Sequence, residues 1–272
     1  MKKGIRVRVI VTIFAAALAA APVMAQDGLR ELCSDRPGLG TAPCTVDPGH
    51  VQVEAGIGSW ERTSDSESRI DRIELGDVLV RYGVGDSTEL RLDWLGYAHV
   101  RERDRATGSL ERTGGVGDVT VGLKRNLTHP DGNGLSLALL PFATLPTGKS
   151  NLGDGVWSAG LTVPATYAIN DTLTFELTPE IDAAANEDAH GRHLAYGSVA
   201  GVQAAVSRVM DVMVELAAIR DRDPAHHSTQ SLLALSLAYH PGSRVQFDVG
   251  GNAGLNHNSP DVQLYLGVSE KF

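Results

Sequence analysis

The sequence predicts an all-β fold, a transmembrane antiparallel up-and-down β-barrel of about 12 strands. Three observations predict it. Segments of about ten residues alternate apolar and polar side chains with a period of two, the pattern of a strand with one apolar face. The connections between them sort by turns into longer polar ones and shorter ones, as in bacterial barrels with long outer loops and short periplasmic turns. The chain closes on such a strand, Asp261 to Phe272, with Val262, Leu264, Leu266 and Val268 on one face and Gln263, Tyr265, Gly267 and Ser269 on the other.

The N-terminus sets the compartment. Lys2, Lys3, Arg6 and Arg8 precede an apolar run from Val9 to Ala21, and Val23-Met24-Ala25 is a small-residue cleavage site. Residues 1–25 therefore read as a secretory signal peptide. Processing lowers the 24 basic residues to 20 against 33 acidic ones, a net charge of −13. That balance argues against a nucleic-acid partner. A hydrophobic content of 42% is low for a helical membrane protein but ordinary for a barrel, which hides its membrane face in alternation.

Residues 26–48 carry Pro37, Pro43 and Pro48 and little periodicity, so they read as an irregular segment that stays in the periplasm or plugs the barrel mouth. Cys33 and Cys44 lie within it, and in an oxidising envelope they predict a disulfide.

The barrel is expected over residues 49–272. His50 to Trp60 sets Val51, Val53, Ala55 and Ile57 against Gln52, Glu54, Gly56 and Gly58. Ile70 to Tyr82 changes phase near Gly76-Asp77, where a glycine bulge fits. Glu89 to Ala98 sets Leu90, Leu92 and Trp94 against Glu89, Arg91 and Asp93. His99 to Gly115, with RERDR at 101–105, reads as a solvated charged loop. Strands follow over Asp118–Leu127, Leu135–Leu145, Val156–Ile169, Thr172–Asp182, Leu194–Val206, Val212–Ile219, Thr229–Tyr239, Val245–Ala253 and Asp261–Phe272. An even count puts both ends on the periplasmic side. The last strand is similar to the C-terminal signal by which outer-membrane barrels are recognised for assembly, carried here by Leu264, Leu266, Val268 and Phe272.

Several blocks resemble the outer-membrane transporter family named for the MetA pathway of phenol degradation. They are Asp35-Arg36-Pro37-Gly38, Pro48-Gly49-His50, Gln52-x-Glu54-x-Gly56, Arg81-Tyr82-Gly83 with Glu89-Leu90-Arg91-Leu92, Gly117 to Lys124, and Leu145-Pro146-Thr147-Gly148. The two cysteines around the DRPG block depart from that pattern. The resemblance implies a barrel and suggests transport, without naming phenol as a substrate.

The chemistry-bearing residues are those on the expected inward faces. Glu54, Glu89, Arg91, Asp93, Asp118, Lys124, Glu176, Glu180, Asp182, Glu215, Asp248 and Lys271, with Gln263 and Tyr265, are the candidate lumen lining. They fit either a pore wall or a mutually paired network that fills a narrow barrel. The glycine runs 38–40 and 114–117 lie in no βαβ unit and are no nucleotide loops. Serines and histidines cluster in loops without a Ser–His pairing, His226-His227 among them, so an enzyme is not expected, and neither is a cofactor or a metal site. The expected location is the bacterial outer membrane, and the expected partners are outer-membrane lipid, the barrel-assembly machinery and a small solute the sequence does not identify. The leading function is passive passage of small solutes, hydrophobic or aromatic ones among them. The second is a closed structural or adhesion barrel whose outer loops Glu61 to Arg69 and His99 to Gly115 bind partners.

Cleavage after Ala25 leaves Gln26 as the first residue of the mature protein. The intact mass of the protein extracted from outer membranes should match residues 26–272 with one disulfide, and a mass retaining residues 1–25 would overturn the signal-peptide reading.

Overall fold

A computed structural model describes residues 28–149 and 152–272. The signal-peptide expectation for residues 1–25 lies outside them. Fourteen strands follow in order: β1 (Val51–Ser64), β2 (Ser68–Gly85), β3 (Thr88–Asp104), β4 (Leu110–Gly115), β5 (Val119–Asn126), β6 (Leu135–Leu145), β7 (Ser158–Thr162), β8 (Ala165–Ala168), β9 (Leu173–Ala185), β10 (Arg192–Ser207), β11 (Met210–Arg222), β12 (His227–Tyr239), β13 (Val245–Gly254) and β14 (Val262–Lys271). Every pairing between them is antiparallel, and β14 pairs with β1, so the sheet closes on itself.

The fourteen strands build twelve staves. Strands β4 and β5 lie end to end along β3, β4 beside Ala98–Arg103 and β5 beside Thr88–Trp94. Strands β7 and β8 likewise share one stave between β6 and β9. Pro164 separates them, because proline has no N–H to give a neighbouring strand. The even number keeps His50 and Phe272 at the same rim.

The alternation read in the sequence sorts inside from outside. Leu90, Leu92, Trp94, Leu233, Leu235, Leu237, Leu264, Leu266 and Phe272 are turned outward and exposed, an inverted pattern only lipid makes favourable. Val268 stands on the same face as Leu266. Aromatic residues mark the two edges of this band: Tyr82, Tyr167, Tyr239, Phe247 and Phe272 toward the periplasm, and Tyr97, Trp157 and Tyr196 toward the outside.

The bulge expected near Gly76-Asp77 belongs to a wider slip. Ile73 and Leu75 face outward, and so do Tyr82 and Val84, which requires a phase change between them. Gly76 supplies it with φ +67°. On β3, Trp94 and Tyr97 both face outward across Gly96, and a Cβ on Gly96 would stand 2.9 Å from the Gly76 carbonyl oxygen. The β1–β14 register shifts at the same level, between Gly56 and Gly58.

Two expectations change. Residues 99–115 form no charged loop: β3 continues to Asp104, turns at 105–109 and returns as β4. Residues 61–69 are likewise the tip of the β1–β2 hairpin, where Asp65 accepts the Glu67 and Ser68 amides at 2.7 Å each. Those amides, Ser68's foremost, hold its carboxyl below the usual range. Charge density misled because strands that rise above the bilayer are solvated on both faces and lose the apolar half of the alternation. The loops on which an adhesion function would rest are therefore strand-paired hairpins.

Leu266→Arg, midway along β14 on the lipid face, should cost roughly 2–4 kcal/mol of folding free energy. A denaturant titration of refolding into lipid vesicles measures it, with heat-modifiable gel mobility reporting the folded fraction; an unchanged midpoint would count against a lipid-facing position.

Candidate functional site

The barrel wall alone would bury ionised groups without partners, so the contents of its lumen decide whether the structure is reasonable. Among the described residues, Arg81, Lys124, Glu54, Glu89 and Glu215 are at most 1% exposed. What covers them is the N-terminal segment, residues 28–48, which lies inside the ring.

Arg81 on β2 organises this packing. A guanidinium has five N–H donors in a planar fork, and all five are used. Nε and Nη2 grip the Glu89 carboxylate at 2.9 and 3.0 Å. Nη1 donates to Glu54 Oε1 at 2.9 Å and to the Cys33 carbonyl at 2.7 Å, while Nη2 also donates to the Cys44 carbonyl at 3.0 Å. Cys33 and Cys44 are disulfide-bonded, with Cα atoms 6.4 Å apart. One side chain of the wall thus holds both arms of the loop that the disulfide closes. Lys124 on β5 adds the Ala42 carbonyl at 2.7 Å, the Cys44 carbonyl at 3.2 Å and Glu89 at 3.2 Å.

The wall carboxylates serve the segment's backbone. Pro37, Pro43 and Pro48 and the absence of strand pairing over 28–47 leave its amides in need of acceptors. Glu54 Oε2 accepts the Asp35 amide at 2.9 Å, the Arg36 amide at 3.1 Å and the Ser34 hydroxyl at 2.7 Å. Glu89 accepts the Val46 amide at 2.9 Å. On the opposite wall, Glu215 of β11 accepts the Leu39 and Gly40 amides at 2.9 and 2.8 Å. Gly38 is obligatory here: its φ is +119°, and a Cβ would stand 2.6 Å from Glu215 Oε2.

Ion pairs run the other way as well. Asp35 pairs with Arg91 and, at 3.5 and 3.6 Å, with Lys124 and Arg81. Arg36 meets Asp248 of β13 in a two-pronged pair at 3.2 and 2.8 Å and lies 5.5 Å from the Tyr265 ring centre. Lys271 of β14 reaches Asp47 at 3.2 Å. With Thr178 of β9 donated to by the Thr41 amide at 3.2 Å, eight of the twelve staves hold the segment.

The candidate residues therefore divide. The structure brings Glu54, Glu89, Arg91, Lys124, Glu215, Asp248 and Lys271 onto the segment. Glu176 stands beside the Gly40 end of the loop, where a Cβ would meet its Oε1 at 3.3 Å. Nearer the outer mouth are Asp93, neighbour of Asp77, and Glu180, which accepts the Thr162 hydroxyl at 2.7 Å. Asp182 lies beside Gly160, and Gln263 accepts from Asn252 at 2.6 Å. Asp118 faces the outer loop and caps the Gly148 and Asp154 amides at 2.6 and 2.8 Å. Arg81, Asp35, Arg36 and Asp47 were missed as site residues. The phase slip at Gly76 hid which way Arg81 points, and an irregular segment carries no facing pattern at all.

Two cavities flank the loop. One of about 930 Å³ opens among the periplasmic turns and is lined by Thr174, Gln203, Asp211, Met213, His240 and Gln246, with Arg36, Pro37 and Gly40 at its inner end. The other, about 140 Å³, lies on the far side of the loop against Ser59, Glu74, Asp77 and Gln263, with Arg36, Gly38 and Leu39 as its floor. Residues 36–40 separate them.

Known structures share this architecture. The translocator domain of the autotransporter NalP from Neisseria meningitidis is 12% identical, with a TM-score of 0.54 over 88% of this chain and 90% of that one. The NanC porin is 13% identical, with a TM-score of 0.51 over 82% and 100% of the two chains. The KdgM porin is 10% identical, with a TM-score of 0.51 over 81% and 99%. At these identities they establish the outer-membrane barrel fold and no more. No protein of curated function matches the sequence. Residues 34–272 match the family described as "Putative MetA-pathway of phenol degradation", so the matched region begins inside the lumen segment and ends at the last residue.

Replacing Arg81 by Met strands Glu54 and Glu89 without their main counter-charge, a loss of about 3–5 kcal/mol for a buried pair. We expect the lumen segment of Arg81→Met to become open to protease while the barrel stays heat-modifiable on a gel. Equal protease resistance of the segment in both proteins would show that Arg81 does not hold it.

Proposed function

We propose that this chain, which belongs to the MetA-pathway family of phenol degradation, is a passive outer-membrane channel for small solutes. The observation that carries the reading is the pair of cavities that lie on the two sides of residues 36–40. A barrel serving only as a scaffold has no use for a lumen that is hollow on both sides of one short loop.

The barrier has a defined weak point. Near the disulfide the segment is fixed by Arg81, Lys124, Glu54 and Glu89, and Arg36 is pinned by Asp248 and Gln246, whereas the tip beyond it, residues 37–41, rests on Glu215 and Thr178. Swinging the tip off Glu215 would join the two cavities while the base stays seated. Passage would need no chemical step; contacts along the wall would set the selectivity. Above the tip the wall carries Asp77, Asp93, Glu180 and Asp182, which favours cations and neutral solutes over anions. The vestibule below mixes Pro43, Val209 and Met213 with Thr174 and Gln203, beside charged groups that include Glu176, Arg208 and Asp211. That lining suits a small, partly apolar molecule, and the family's link with phenol degradation makes a neutral aromatic the first candidate.

The seal itself supports a second reading, a closed structural barrel in which the segment never moves. Planar-bilayer recordings separate the two. Glu215→Ala removes the acceptor of the Leu39 and Gly40 amides and should raise the open probability or conductance several-fold over wild type. Permeability should be greater for a neutral aromatic such as phenol than for benzoate. If neither protein conducts nor passes solute, the channel reading fails and the closed barrel stands.

A further inference from the structure

Above the outer edge of the apolar band, the β1–β2 and β3–β4 hairpins separate their charges by face. Ile73 and Tyr97 are exposed on the lipid side, so the residues two and four positions further toward the tip share that side. Cross-strand register places Arg62, Asp71, Arg101 and Arg112 in one outward row and Ser64, Arg69, Arg103 and Leu110 in the next. The glutamates lie on the inward rows instead: Glu61 opposite Arg72, which is paired with Glu74 at 2.6 Å, and Glu102 opposite Glu111. A merely solvated hairpin would have no reason to put five arginines on one face and its glutamates on the other.

The outward arginines exceed their acceptors. Asp71 takes Arg62 at 2.9 Å and Arg69 at 3.0 Å. Arg101, Arg103 and Arg112 are exposed and meet no carboxylate among the described residues, and Arg101 and Arg112 stand directly opposite each other. Like charges in that relation destabilise a ladder unless an anion lies between them. The patch also stands against the sign of the whole chain, whose formal charge is −9.

We propose that this outward arginine face binds the phosphorylated headgroup of an outer-leaflet glycolipid. Position and charge both select that occupant. Arg101 is four residues beyond Tyr97, about 13 Å along a strand and less in height once the strand tilts. That is the level of the headgroups, just outside the hydrocarbon. The arginine rows continue downward into Ile73, Leu75 and Tyr97, so one ligand with phosphates above and acyl chains below covers both surfaces. A soluble polyanion would leave the apolar part unused. Arginine suits phosphate because its planar fork donates two hydrogen bonds at once. The outer belt repeats the device more weakly, with Arg62 4.7 Å over Trp60, Arg192 3.5 Å over Trp157 and Arg222 5.5 Å over Tyr196.

Native mass spectrometry of the protein in phosphatidylcholine nanodiscs, doped with bisphosphorylated lipid A or with lipid A stripped of both phosphates, tests this. Wild type should retain the phosphorylated form selectively. The triple variant Arg101→Gln, Arg103→Gln, Arg112→Gln should lose roughly a hundredfold in apparent affinity, three cations at an anionic surface. Glu102→Gln with Glu111→Gln, on the inward face, should bind as wild type does. Heat-modifiable mobility checks that each variant is folded. Equal binding of the dephosphorylated lipid, undiminished binding by the triple variant, or displacement of the lipid by free inorganic phosphate would each overturn the proposal. None of these outcomes depends on whether the lumen conducts.

Discussion

Burying a guanidinium at zero exposure in the lumen wall is the constraint on which the rest of this structure depends. The desolvation of such an ion costs several kcal/mol and is offset only when every donor is met. Arg81 meets two carboxylates of its own wall, Glu54 and Glu89, but the remaining donors reach the Cys33 and Cys44 carbonyls. Neither the wall nor the N-terminal segment is complete without the other. The segment supplies carbonyls to wall cations, and the wall supplies carboxylates to segment amides.

This reciprocity explains the acidic lumen. An irregular chain cannot satisfy its own N–H groups, and buried amides left unpaired cost about 1–3 kcal/mol each. Glu54, Glu89 and Glu215 together accept five amides of the segment, from Asp35, Arg36, Leu39, Gly40 and Val46. Their negative charge is therefore a structural requirement in the periplasmic half of the lumen. Beyond the tip of the segment that requirement ends, and Asp77, Asp93, Glu180 and Asp182 remain available to act on whatever enters.

The barrel was legible because lipid and lumen impose opposite demands on successive residues, so Leu264, Leu266 and Gln263, Tyr265 declare their sides in the sequence itself. Legibility failed wherever that opposition is relaxed. At Gly76 and Gly96 the phase slips within a strand, so Arg81 could not be assigned to a face by counting. Above the membrane both faces are wet, and β4 with the end of β3 read as a loop. Within residues 28–48 nothing repeats, so only the cysteine pair and the DRPG block hinted at Asp35 and Arg36. Inward acids such as Glu54 and Glu215 could be named, yet their partners lie 18 to 176 residues away, a separation no local pattern records.

The energies at the two ends of the segment differ in a way that bears on movement. Its base shares a network of three cations, Arg81, Arg91 and Lys124, and several carboxylates in which loss of one member costs about 3–5 kcal/mol, and the disulfide ties both arms together there. Its tip beyond Arg36, residues 37–41, is attached across the lumen by two amide bonds to Glu215 and one to Thr178, and hydrogen bonds to a charged acceptor contribute a net of about 1.5–3 kcal/mol each. Water can replace them, because cavities already lie on both sides of residues 36–40. A motion confined to the tip exchanges one set of hydrogen bonds for another, while expulsion of the whole segment would strand Arg81, Lys124, Glu54 and Glu89 at once. Of the two ways to open this lumen, the hinged tip is the one the charges permit.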